Sequence, residues 1–160
     1  MSLIVSDTSP IRALAHLDLL DLPSQLFDVI FIPPAVEEEL ARPRKRFPPV
    51  RVDQIRGAAV RRPTNISRVQ ELELELQAGE AEAIALAEEL RTNILIDERA
   101  GRRVATRSGL AVIGVVGLLV EAKRRDLVPA VVPSLLCLRN DLGFFHWQSL
   151  LDAARNQCGE

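Results

Sequence analysis

Short apolar runs recur along the chain, and each is followed by residues with the spacing of an amphipathic helix. We predict buried strands at four runs rich in Leu, Ile and Val, namely residues 3–5, 28–32, 93–96 and 110–113. Strands that alternate with helices favour an α/β fold, here a three-layer α/β/α fold with a mostly parallel sheet of about four to five short strands. The order of the strands does not follow from this pattern.

Helices are predicted between these strands and after them, at residues 11–17, 36–40, 81–90, 102–108, 115–125, 134–140 and 147–156. Ser9 is expected to cap the first helix, with Pro10 at its first position. Residues 67–77 are predicted to be helical, although their alternating Leu and Glu also fit a strand. Residues 41–63, which several prolines interrupt, are predicted to form a flexible loop with one short helix.

The length of 160 residues fits one domain over 1–160, with C-terminal helices at about 131–158 packed on it. Apolar residues make up 48% of the chain and supply a sizeable core. No apolar run approaches the roughly 20 residues that span a bilayer, and the start does not resemble a signal peptide. We therefore expect a soluble cytoplasmic protein without a membrane partner.

Four acidic residues stand where such a fold brings side chains to one edge of its sheet. Asp7 and Asp97 each follow a predicted strand, whereas Glu39 and Glu80 stand near the starts of predicted helices. In a right-handed β-α-β unit the helix begins where the previous strand ends, so helix starts and strand ends share an edge. Because ligand sites of open parallel sheets lie at that edge, the four carboxylates are expected to meet there.

Each of these acids also has a simpler explanation. A strand-end Asp is often a turn or cap residue, a Glu in a first helical turn stabilises the helix end, and three consecutive glutamates usually form a solvated face. The combination favours a shared site, since carboxylates at close range raise one another's pKa values. Mg²⁺ or Mn²⁺ relieves this repulsion, activates water and stabilises charge on a phosphodiester, so the acids predict phosphodiester hydrolysis.

The basic residues are bunched, although the net charge is −2. One group is Arg42, Arg44, Lys45 and Arg46, and the other is Arg99, Arg102, Arg103 and Arg107. Local fields steer a polyanion more than net charge does, so nucleic acid stays possible beside the commoner interpretation of a solvated surface.

The histidines and cysteines suggest no chemistry of their own. His16 and His146 lie beside apolar neighbours without a His or Cys at ligand spacing, and we interpret them as structural. Cys137 and Cys158 are too few for a metal cluster or a disulfide framework.

Several stretches taken together resemble the PIN-domain ribonucleases, and most closely a VapC-like branch that forms the toxin half of toxin–antitoxin pairs. The matching segments are residues 5–10, 32–36 with Glu39-Leu40, 79–87, 95–102, 112–114 and 122–124. They follow one another in order over about two thirds of the chain, and they are specific as a set rather than singly.

The resemblance implies a parallel sheet flanked by helices and an acidic pocket that binds Mg²⁺ or Mn²⁺. The family's acids correspond in order to Asp7, Glu39, Glu80 and Asp97, with Ser9 assisting near the metal. The family's third acid is usually Asp, so Glu82 is an alternative to Glu80. Glu98 is likewise an alternative to Asp97.

The activity implied by the resemblance is metal-assisted attack of water on an RNA phosphodiester. Phosphate contacts are assigned to Arg12, Arg102 and Arg103, and single-stranded RNA loops are the expected substrate because they bend into a cleft. An antitoxin that covers the cleft with a basic side chain is expected as a partner, as is a homodimer.

Two other classes of protein fit the sequence less well. A haloacid-dehalogenase-type enzyme needs a second Asp where Ser9 stands, and a receiver domain needs adjacent acids where Ser6-Asp7 supplies only one. The alternative that stays open is a weak or inactive PIN-like binding module that acts through protein or RNA contacts.

Overall fold

The computed structural model of the chain describes residues 2–44, 46–142 and 147–160. Lys45 and His146, which figure in the sequence predictions, lie outside these ranges. The described strands are β1 (Leu3–Ser6), β2 (Val29–Ile32), β3 (Ala58–Val60), β4 (Asn93–Leu95) and β5 (Val112–Ile113). They form one sheet in the order β3-β2-β1-β4-β5, and every neighbouring pair is parallel.

The helices follow the strands in the manner of β-α-β units. In chain order they are α1 (Thr8–His16), α2 (Leu22–Leu26), α3 (Pro34–Ala41), α4 (Ile66–Leu72), α5 (Ala78–Leu90), α6 (Arg99–Arg107), α7 (Val115–Arg124), α8 (Val132–Leu142) and α9 (Trp147–Cys158). A short 3₁₀ turn at Val52–Gln54 lies between α3 and β3.

The sheet has a hydrophobic cluster on each face, because successive strand residues point to opposite sides. Ile4 of β1 packs with α1, α2, α7, α8 and α9 on one face, whereas Val5 packs with α4, α5 and α6 on the other. Helix α3 lies between the layers and contacts both α1 and α5. The predicted three-layer α/β/α fold is confirmed, and the sheet of the described residues is parallel throughout.

The strand order reverses at the centre of the sheet. From β1 the chain adds β2 and β3 on one side and then crosses over to β4 on the other. The backbone N–H of Asp7 donates to the carbonyl of Leu95 at 2.9 Å, so the two chains stay paired to the end of β1. Open parallel sheets bind ligands where the strand order reverses, so the residues after β1 and β4 are expected to form the site.

Strand β3 was missed by the sequence analysis, which predicted a flexible loop with one short helix over 41–63. The strand has only three residues, Ala-Ala-Val, and it lies at the sheet edge after Gly57, whose φ is +77°. Such a segment carries too few large apolar residues for an alternating pattern. It is a strand because β2 offers a free edge, with Ile30 paired to Ala58. The predicted short helix corresponds to the 3₁₀ turn at Val52–Gln54.

The ambiguous stretch at 67–77 is helical in its first half, where Asn65 caps α4 by accepting from the N–H of Arg68 at 3.0 Å. Leu72 and Leu76 are buried, whereas Leu74 between them is 85% exposed. Apolar burial at a spacing of four is the helical period, which explains why the strand alternative does not apply.

The C-terminal helices pack on the same face of the sheet as α1 and α7. Leu135 and Leu138 of α8 and Leu151 and Ala154 of α9 are buried in that hydrophobic cluster. None of the helices in the described ranges combines the length and the apolar character that a membrane crossing requires.

Candidate metal centre

Asp7 lies at the reversal point of the sheet, directly after β1 and at the N-cap position of α1. It is only 2% exposed, and its side chain makes no capping hydrogen bond to the helix. Helix α1 begins at Thr8, two residues earlier than predicted. Ser9 therefore lies inside the first turn, and the predicted capping role for its hydroxyl is wrong. The Asp7 carboxylate is left available to other partners.

Glu39 is brought to Asp7 by the packing of α3 against α5. It lies in the second half of α3 rather than at the predicted helix start, and it accepts a hydrogen bond from the Thr8 hydroxyl at 3.0 Å. A Cβ atom at Gly79 would lie 3.1 Å from Glu39 Oε2 and 3.6 Å from Asp7 Oδ1. Both carboxylates thus approach one point at the start of α5, where glycine leaves them room.

Glu80 and Glu98 approach the same region from α5 and from the start of α6. Glu80 Oε2 accepts from the N–H of Gln77 at 3.3 Å, and its Oε1 would lie 3.5 Å from a Cβ at Gly101 in α6. Glu98 precedes α6 and accepts a hydrogen bond from the Ser9 hydroxyl at 3.0 Å. Ser9 thereby links α1 to the acid at the start of α6.

Asp7, Glu39, Glu80 and Glu98 form what we call the acidic cluster, because their charges act on one another. Burial raises the pKa of Asp7 to about 7, and the charges of Glu80, Glu39 and Glu98 add to this rise. The pKa of Glu80 is also raised, first by burial and then by Glu98 and Glu39. In the absence of a cation these carboxylates repel one another, and the burial of Asp7 weakens the screening of its charge by water.

Asp97 is bound mainly to its own neighbours. Its two carboxylate oxygens accept from the N–H of Val115 at 3.1 and 3.2 Å, at the start of α7. Burial raises its pKa to about 6, opposed by the Val115 hydrogen bond and by the charge of Arg102. Asp97 therefore joins β4 to α7, while Glu98 beside it faces Ser9 and the acidic cluster.

Glu82, the alternative to Glu80, lies on another side of α5. Its Oε2 accepts from the backbone N–H of Ala35 at 2.7 Å, in the first turn of α3. This bond gives a partner to an N–H group in the first turn of α3, and it connects α3 to α5. Of the two glutamates, Glu80 is the one whose charge acts on Asp7.

A wide cleft of about 1810 Å³ opens beside these acids. Its lining includes Thr8, Ser9, Glu39, Asp97 and Glu98, together with the cations Arg12, Arg44, Arg46, Arg99 and Arg102. Small-molecule pockets are usually about 300–1,000 Å³, so this cleft suits an extended ligand. Arg103 is exposed on α6 and is not part of this lining.

Arg12 is the most deeply buried of the cations along the cleft, at 5% exposure. Its Nη2 donates to the carbonyl of Glu39 at 2.6 Å, and its guanidinium lies 5.3 Å from the centre of the Phe47 ring. Phe47 is held by paired backbone hydrogen bonds with Arg44, at 3.1 and 2.6 Å. Two further nitrogens of Arg12, Nε and Nη1, are buried without a hydrogen-bond partner.

The acidic cluster suits a hard divalent cation, since it offers only oxygen ligands and repels itself without one. Its four ligand groups are not packed tightly: among the described residues, only His16, Cys137 and Asp141 bring three metal-type ligand atoms within 4.8 Å of one another. A site of more widely spaced carboxylates fits Mg²⁺ or Mn²⁺ chemistry, in which several ligands are water.

A family model for the PIN domain matches residues 3–160, so the chain belongs to the PIN-domain family. PIN domains are generally nucleases, and they typically use divalent metal ions. A search of curated proteins gave no match.

Sequence reasoning overlooked Thr8 and Phe47. Thr8 follows Asp7 in the strand-to-helix turn, a position that could have suggested a contact to a neighbouring acid. Phe47 sits in a proline-rich segment without periodicity, and no pattern there pointed to Arg12.

Replacing Asp7 by Asn should stabilise the metal-free protein at pH 8 by about 2–4 kcal/mol. The folded-state pKa of about 7 exceeds the ordinary 3.8, so the folded protein binds this proton more tightly than the unfolded chain. Stability from this group is present below about pH 4 and is lost as the pH rises through about 7. Urea unfolding with a chelator at pH 5 and pH 8 measures the difference.

Asp53→Asn is the matched control, because Asp53 is exposed and pairs with the exposed Arg51. Its effect should stay within about 0.5 kcal/mol at both pH values. Equal stability of wild type and Asp7→Asn at pH 8 would contradict the assignment of a buried, repelled carboxylate.

Proposed function

We propose that this PIN domain is a metal-dependent endoribonuclease that hydrolyses RNA phosphodiester bonds. The observation that carries the proposal is the acidic cluster at the sheet's reversal point, beside a cleft lined with arginines. Acids that hold a cation and cations that hold phosphate are the two parts that phosphodiester hydrolysis needs. Membership of a family of nucleases supports the same activity.

In this proposal Asp7, Glu39 and Glu80 hold the ion, which is Mg²⁺ or Mn²⁺. The fourth ligand is Asp97 or Glu98, and the geometry favours Glu98, because Asp97 already accepts two contacts from Val115. A bound ion of this kind lowers the pKa of water and stabilises charge on a phosphodiester. Ser9 keeps Glu98 in place through its hydroxyl.

The protein's own groups orient the substrate and accept the proton. Arg12 lines the cleft, and we assign its positive charge to the attraction of a substrate phosphate. Arg102 lines the same cleft, with its Nη1 held by the carbonyl of Ile96 at 2.9 Å. No histidine is among the described residues of the cleft lining, so a carboxylate of the cleft accepts the proton of the attacking water.

Single-stranded RNA is the proposed substrate class, because a flexible backbone can bend to bring one phosphate to the acids. Restraint by an antitoxin and self-association as a homodimer belong to the same proposal. A basic side chain of the antitoxin would neutralise the acidic cluster, whose repulsion any cation relieves. The antitoxin rests on the resemblance to VapC-like toxins, and the homodimer rests on the frequency of small symmetric homo-oligomers.

Glu39→Gln should reduce cleavage of single-stranded RNA by about 100-fold or more, because it removes a charged ligand of the ion. The measurement is the initial rate of cleavage of a labelled RNA with Mg²⁺ or Mn²⁺. Glu37→Gln is the matched control, since Glu37 is exposed on the same helix. Equal rates for wild type and Glu39→Gln would assign the cleavage to a contaminant. No cleavage by a folded, metal-bound wild type would favour the binding-module alternative.

The fourth ligand is identified by comparing Glu98→Gln with Asp97→Asn in thermal unfolding. Mn²⁺ should raise the melting temperature of the wild type, because an ion that binds only the folded state stabilises it. We expect the rise to be largely lost in Glu98→Gln and in Asp7→Asn, and largely kept in Asp97→Asn, whose amide oxygen still accepts from Val115. The opposite pattern for residues 97 and 98 would make Asp97 the ligand.

Arg12→Gln should raise the KM for RNA by about tenfold, because it removes a positive charge from the lining of the cleft. Arg12→Gln should also lower the salt dependence of RNA binding by about one charge. Arg62→Gln removes the same charge from an exposed position outside the cleft and serves as control. An unchanged KM and salt slope in Arg12→Gln, with its Mn²⁺ stabilisation intact, would refute the phosphate contact.

A further inference from the structure

A second group of metal-type ligands lies where the end of α1 meets α8. His16 is the last residue of α1, and Cys137 and Asp141 lie one turn apart on α8, so both face the same side of that helix. A nitrogen of His16, the Cys137 sulfur and a carboxylate oxygen of Asp141 all lie within 4.8 Å of one another. The sequence separates His16 from the other two by more than a hundred residues, so only the fold creates this group.

The three ligand atoms lie close enough together for one ion to bind them all after small movements. His16 Nε2 lies 2.7 Å and Cys137 Sγ lies 3.3 Å from Asp141 Oδ2. Zinc bonds of about 2.0–2.3 Å in a tetrahedron place ligand atoms roughly 3.3–3.6 Å apart. Small rotations of the side chains would therefore exchange the existing hydrogen bonds for bonds to a metal.

The ligand types distinguish this group from the acidic cluster. Imidazole nitrogen and thiolate sulfur favour Zn²⁺ and similar transition metals, whereas clusters made only of carboxylates favour Mg²⁺ or Mn²⁺. Three protein ligands leave a fourth position for water or for a further ligand.

Solvent reaches the group, so an ion can enter without unfolding the protein. The side chains of His16 and Asp141 are 25% and 48% exposed. Arg46 also donates from Nη1 to the backbone carbonyl of Asp141 at 2.6 Å, and both residues line the cleft. The group therefore sits against the segment that carries Phe47, the residue on which Arg12 stacks.

We propose that His16, Cys137 and Asp141 bind a zinc ion that fastens α8 to the end of α1. Binding at this site holds a C-terminal helix against the first helix of the fold, and it does so independently of the acidic cluster. Because Arg46 donates to the backbone of Asp141, this zinc site lies next to the arginine-lined cleft.

Cobalt is the probe for this site, since Co²⁺ bound by a thiolate gains a charge-transfer absorption that oxygen ligands do not give. Co²⁺ is titrated into full-length, chelator-treated protein with a non-thiol reductant. We expect the band in the wild type, in Cys158→Ser, which removes the other cysteine, and in Asp7→Asn, which disables the acidic cluster. We expect it to be absent from Cys137→Ser.

His16→Gln keeps the thiol and tests the site even if Cys137→Ser fails to fold. We expect it to weaken Co²⁺ binding by about tenfold or more. Zn²⁺ should raise the melting temperature of wild type and Cys158→Ser but not of His16→Gln. No thiolate band in the wild type, a band lost in Cys158→Ser, or unchanged binding in His16→Gln would overturn the proposal and leave a hydrogen-bonded triad.

Discussion

The main physical constraint on this structure is the repulsion among carboxylates at the carboxyl ends of the central strands. Asp7 is buried at the place where β1 and β4 end together, and that burial is fixed by two hydrophobic clusters that pack helices on both faces of the sheet. The core thus holds the Asp7 carboxylate away from water and beside other negative charges, and a carboxylate in this environment takes up a proton or a cation. The raised pKa values of Asp7 and Glu80 mean that these carboxylates bind a proton more readily. In the proposed metal site, a cation takes the place of the proton.

The sequence was sufficient to predict the fold class and the region of the site, because both depend on periodicity. Acids that end buried strands stand at one edge in any parallel sheet, so Asp7 and Asp97 could be placed before the strand order was known. Glu39 lies in the same region although it stands in the second half of α3, because α3 packs against α5 and Glu39 faces Gly79.

The orientation of individual side chains could not be predicted in the same way. Asp97 accepts a hydrogen bond from the backbone N–H of Val115, and Glu82 accepts one from the backbone N–H of Ala35. Each of these N–H groups lies in the first turn of a helix, where it has no partner within that helix. Likewise, His16 and Cys137 have no ligand spacing in the sequence and meet only through the packing of α8 on α1. The hydrophobic period shows which face of a helix or strand is buried. It does not show which hydrogen-bond donor or ligand another element places beside that face.

Gly79 shows that a residue without a side chain can govern the chemistry of its neighbours. The start of α5 passes so near Asp7 and Glu39 that even a methyl group at this position would press against a carboxylate oxygen. The bare α-carbon therefore lets these two carboxylates stand side by side. An alanine at position 79 would leave every ionisable group of the acidic cluster intact and still require Glu39 Oε2 to move by a few tenths of an ångström.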